Sequence, residues 1–214
     1  MSIAQSLLAE FDHEMANTRK TLERVPENKL DYKPDPKSMS MGVLASHVAE
    51  MVGWLPSMMQ GSELDIPPDF KPFLATSSKD LLATFDKNVA GSRAALAAAG
   101  DQALMQDWSL KFGGNAMFTM PRIAVYRTMI MNHVIHHRAQ LTVYFRLNGI
   151  PVPALYGPSA DEGQQAAAGS GTGAWTVARR TGRYYKPPCP HRATKFRLSN
   201  FVWVLAQDGK TPRG

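Results

Sequence analysis

The sequence predicts an all-α fold: a four-helix bundle followed by a poorly ordered C-terminal tail. Three observations lead there. Apolar residues recur at helical spacing in four separate stretches. Prolines and glycines close most of those stretches. Beyond residue 164 the helical period is lost and Gly, Pro and basic residues take over.

The first stripe is Ile3, Leu7, Phe11, Met15 and Leu22, with Thr18 filling the step between, and Pro26 stops it. His13 lies about 200° round from Phe11 and faces water. The second stripe is Val43, Leu44, His47, Val48, Met51, Leu55 and Met58, with Ser38 or Ser40 as N-cap and Pro56 as a kink or stop. "GSELDIPPDFKP" reads as irregular. A third helix spans about 78–99, with Leu81, Leu82, Phe85, Val89 and Leu96 inward and Gly100 at its end. "KFGGNAMFTMP" reads as a turn or short hairpin. The fourth helix spans about 121–147 and closes on Asn148-Gly149 and Pro151. Connections of about 15 residues leave room for a crossover.

The charge divides the chain at the same place. Of its 24 basic and 18 acidic residues, nine basic and one acidic fall in 165–214, leaving 15 and 17 in 1–164. The high pI is a property of the tail, and nothing in the domain's charge points to nucleic acid. For the tail, an RNA anchor with Tyr184, Tyr185 and Phe196 stacking is the alternative to disorder. The one cysteine, Cys189, is in the tail too, so the domain has no thiol nucleophile and the chain no internal disulfide. The N-terminus lacks a basic start and an apolar h-region, and no apolar run approaches the roughly 20 residues of a span. The expectation is a soluble, cytoplasmic protein without membrane partners.

Chemistry concentrates in "NHVIHHRAQL", residues 132–141. His133 and His137 replace apolar residues on the stripe Ile123, Tyr126, Ile130, Leu141, Tyr144, and His47 does the same on the second helix. A lone histidine on such a face is usually a core residue satisfied by one hydrogen bond. Three of them bring nitrogens whose unpaired burial costs about 1–3 kcal/mol each. A shared cation satisfies three at once. Residues four apart on a helix converge, so His133 and His137 form half a site and His47 supplies the third ligand. Three ligands with a position left for water make an open site rather than a closed structural one. His136 turns to the rim, although a pairing of His133 with His136 has permissible geometry. A di-iron bundle is rejected: Glu10 and His13 form one Glu-x-x-His, but Ile130 stands where the second needs Glu. Glu50 reads as a rim carboxylate, with a role behind the ligands or as a base in second place.

"LASHVAEM" around His47 and "HVIHHRAQLTVYFRLNGIPVPALYGPSADE" together resemble the damage-inducible DinB family of metalloenzyme-like proteins. The likeness covers about residues 1–164; Ala139 stands where the family pattern expects Gly, and 165–214 has no counterpart. The resemblance implies an up-down-down-up bundle, a divalent metal on His47, His133 and His137, and a homodimer. It implies a stress-response setting and a transferase using a low-molecular-weight thiol such as bacillithiol or mycothiol, with a small-molecule substrate. A metal-dependent hydrolase, or a non-catalytic protein whose metal staples the bundle, are the alternatives. Three imidazoles suit zinc, nickel and copper, zinc or nickel being favoured. Arg138 is expected to pair with Asp161, or in second place to orient an acidic substrate, Trp54 and Tyr156 to wall a pocket or fill the core, and Gln140 to hold the free N–H of a ligand.

Overall fold

The computed structural model describes residues 2–163. The basic segment 165–214, with Cys189 and its aromatic residues, lies outside the described residues. Helix α1 (Ile3–Leu22) opens on a capping box: Ser2 Oγ accepts the Gln5 N–H, and Gln5 Oε1 accepts the Ser2 N–H. Leu7, Phe11, Met15, Thr18 and Leu22 are its buried stripe. Helix α2 (Met41–Met51) starts at Ser40, whose hydroxyl accepts from Val43. The second stripe then breaks before its proline, and α3 (Trp54–Gln60) carries Pro56 in its first turn, where a missing N–H costs nothing. The break sits at Val52-Gly53 because α4 (Ser78–Ala97) satisfies the carbonyls it frees: Asn88 donates to Ala49 and Ser92 to Val52. A Cβ on Gly53 would fall 2.8 Å from the Asn88 amide, so any larger residue there would have to displace the side chain that holds Ala49.

After α5 (Asp101–Met105) and the strands below, the last helical run is continuous but not uniform. Four α-helical residues, α6 (Arg122–Val125), lead into a π-helical stretch, Tyr126–Met131, and then into α7 (Asn132–Leu147). Helices α1 and α2 each pack against α4 and α7, and the core runs along that contact through Phe11, Leu44, Phe85, Tyr126, Leu141 and Phe145.

The chain is not a pure α bundle. Strands β1 (Glu63–Ile66), β2 (Asp107–Phe112) and β3 (Asn115–Pro121) form a mixed sheet in the order β1-β2-β3. The expected hairpin is present: β2 and β3 pair antiparallel across Gly113-Gly114, whose φ values of 53° and 82° suit the tight turn. Strand β1 corrects the irregular reading of its segment. It shows no alternation because three of its four residues are exposed, and it exists through parallel pairing with β2, more than forty residues away. Arg122 pins this end. It is buried, and its guanidinium donates to the carbonyls of Met58, Gly61 and Ala103 and to Gln106 Oε1.

Candidate metal centre

The three stripe histidines meet. Ring centroids lie 4.6 Å apart for His133–His137, 5.2 Å for His47–His133 and 5.1 Å for His47–His137. One nitrogen from each falls within 4.8 Å of the others, close enough to hold a metal ion. His47 and His137 are buried and His133 half-buried.

The nitrogens are already sorted. His133 Nδ1 lies 3.3 Å from the Met129 carbonyl, and His137 Nδ1 lies 2.7 Å from Gln140 Oε1. Both partners are oxygens that only accept, so each Nδ1 carries the proton and each Nε2 keeps its lone pair. Neither Nε2, nor any ring nitrogen of His47, makes a hydrogen bond among the described residues. His133 and His137 thus have the arrangement a metal-ligating histidine needs, with one nitrogen anchored and the other free. Burial holds all three neutral: His47 is pushed down to about 3, His137 to about 4, and His133 below its ordinary value. A neutral imidazole is the form that ligates.

Other candidates are dispersed. His13 is exposed, beside Asn17, and far from the cluster's chemistry; His136 is exposed at the rim, its ring 4.9 Å from His137. Gln140 does hold a histidine N–H. Arg138 does not pair with Asp161. Fully buried, it binds the Glu14 carboxylate at 2.6 Å, the Glu14 carbonyl and Thr18 Oγ1 at 3.0 Å, and the Tyr156 hydroxyl, while Asp161 pairs with Arg146. Arg138, next to His137 on α7, reaches Glu14 and Thr18 of α1 rather than the tail end. Tyr156 therefore serves this ion pair. Trp54 lines a cavity of about 460 Å³ next to the cluster, 5.8 Å from the His47 ring and 6.3 Å from His133.

Glu50 is not a carboxylate in water. It is half-buried in the wall of that cavity, accepts the Phe73 N–H at 3.0 Å, and burial raises its pKa. The Met129 carbonyl and the Phe73 amide escaped sequence reasoning, since backbone groups leave no residue-type signal. The π stretch that carries Met129 preserves the apolar stripe and is equally silent.

The chain matches the DinB family over residues 1–172. It belongs to the DinB family. An uncharacterized Bacillus subtilis protein, YrdA, is 26% identical over 162 residues, 72% of this chain and 89% of YrdA. A DinB-like protein from Bacillus cereus superposes with a TM-score of 0.56 at 24% identity, covering 72% of this chain and 98% of that one. A second DinB-like protein, from Bacillus subtilis, gives 0.53 at 18% identity, covering 69% and 96%. These two likenesses bear on the fold alone. Among the described residues of this DinB protein, no helix is long and apolar enough to cross a membrane.

Proposed function

We propose that this DinB protein holds a divalent metal, zinc or nickel, on His47, His133 and His137, and uses it to transfer a low-molecular-weight thiol to a small electrophile. The observation that carries the metal is the sorted set of nitrogens: two Nδ1–H groups anchored, their Nε2 atoms without partners among the described residues, and one nitrogen of each of the three rings within 4.8 Å of the others. A bound divalent ion would withdraw electron density from an incoming thiol or water and lower its pKa. The protein's own part is to keep three imidazoles neutral, aimed and largely dry.

Two features favour thiol over water as the nucleophile. No carboxylate joins the ligating cluster among the described residues, and Glu50, one turn from His47, has one oxygen taken by the Phe73 N–H. A thiol starts near pKa 8.5 and needs less help to ionise. The cavity beside the cluster favours an enzyme over a stapled bundle. A cytoplasmic homodimer completes the reading, with exposed Val143 and Leu147 on α7 as its apolar stripe.

Elemental analysis of tag-free protein tests the metal. Thiol consumption with an electrophile tests the reaction, which should vanish on chelation and survive Cys189→Ser. Ester hydrolysis without any thiol would replace this reading by a hydrolase.

A further inference from the structure

The cavity of about 460 Å³ lies between the helices and the sheet, within the size range of small-molecule sites. Trp54 and Met58 of α3, Phe73 of the connecting loop, Trp108 and Phe118 of the sheet, and Ile130 of the π stretch give it apolar walls. Glu50 and Asp65 are the charged residues of its lining, and among the described residues no Lys, Arg or His faces it. Each acid accepts one backbone N–H. Glu50 is tied to the Phe73 amide, and both Asp65 oxygens accept the Gly114 N–H.

Three residues join this cavity to the histidine cluster. Trp54 packs on both the His47 and His133 rings; Met129 lines the cavity while its carbonyl holds His133; Glu50 follows His47 by one turn of α2. A molecule seated in the cavity is therefore one side chain away from the imidazoles.

We propose that the cavity binds the uncharged, apolar body of the molecule acted on at the histidine cluster, and rejects anions. Among the described residues an anion would meet two acids and no cation in an apolar enclosure, where desolvation is costly. A cation would give up its water against the same apolar walls. That this molecule is acted on at the histidines rests on the proposed function; its occupancy of the cavity does not.

The test uses the full chain, stripped of metal and loaded with zinc or cobalt, in equilibrium dialysis with 2-acetonaphthone and with 2-naphthoate. The neutral ketone should bind at least about tenfold more tightly than the carboxylate, with or without metal. Ser57→Trp and Thr84→Phe, which enlarge half-buried or exposed lining positions on α3 and α4 rather than core ones, should each weaken ketone binding by about tenfold or more. Their cobalt affinity should stay unchanged. Cobalt should broaden the proton lines of the bound ketone relative to zinc. No saturable ketone binding up to about 1 mM, equal binding of naphthoate, or full binding by both variants would overturn the cavity. Ketone binding without cobalt broadening, in protein that does bind cobalt, would overturn its link to the histidines. Failure to bind cobalt or zinc at all would overturn the proposed function while the metal-free arm still judged the cavity.

Discussion

His137 donates its Nδ1 proton to Gln140 Oε1 across 2.7 Å, one helical turn along α7. The bond fixes both the tautomer and the tilt of an imidazole whose ring centre lies 5.1 Å from that of His47 and 4.6 Å from that of His133. Gln140 is itself exposed, so its side chain can be changed without opening the core.

Gln140→Leu should therefore lower zinc affinity by roughly tenfold while leaving the fold intact. His137→Ala should lower it further, and His13→Ala should leave it unchanged. Competition with a zinc-sensitive dye reads all three. Equal affinity in wild type and His137→Ala would remove the three-histidine site.

The depressed histidines set a direction for acid sensitivity in the metal-free protein. Unfolded histidine takes its proton near 6.5, whereas folded His47 and His137 wait until about 3 and about 4, chiefly because burial disfavours the cation. Between those values the unfolded chain binds more protons, so stability falls as pH drops below about 6.5. Urea midpoints should decline from pH 7 to pH 4.5, and the decline should be shallower in His47→Gln. Identical slopes would show that His47 does not titrate as its burial requires.

Arg138 and Glu14 are 1% and 6% exposed and hold each other at 2.6 Å. Removing one partner strands a buried charge, so Arg138→Met should cost about 3–5 kcal/mol in chemical denaturation. The double variant Glu14→Leu, Arg138→Met should recover much of that loss. A single-variant cost below about 1 kcal/mol would mean that water reaches the pair.

Tyr126 is fully buried and its hydroxyl has no partner among the described residues. An unmade hydrogen bond of this kind costs about 1–3 kcal/mol. Tyr126→Phe should accordingly leave the melting temperature unchanged or raise it. A clear drop would reveal a partner for that hydroxyl.

The loop before residue 164 is tied back to the helices: Asp161 pairs with Arg146 and accepts the Val152 N–H, and Glu162 pairs with Arg24 and accepts the Ala154 N–H. A chain ending at Gln164 should keep its metal and its melting temperature, as expected if 165–214 is dispensable. One ending at Gly157 should melt lower, by thermal scan. A lower melting temperature for the longer truncate would assign the tail a part in the fold.

The helices and the histidine cluster were legible because both are written in side-chain period. Leu7, Phe11 and Met15 repeat every four residues, and His47, His133 and His137 interrupt otherwise apolar stripes, so each points to the same interior whatever the topology. The sheet was not legible, except for its Gly113-Gly114 hairpin. Strand β1 is exposed and without alternation, and its hydrogen bonds belong to residues 107–112 on the far side of α4 and α5. The partner of Arg138 was misread for a related reason: its guanidinium could reach an acid in either direction, and only the packing of α7 against α1 put Glu14 there first. By itself the sequence determined which faces are apolar and which three imidazoles must share the core. Tertiary structure alone decided the sheet, the Met129 carbonyl behind His133 and the cavity beside Trp54. Those depend on backbone groups and on distances between segments remote along the chain, which no local periodicity encodes.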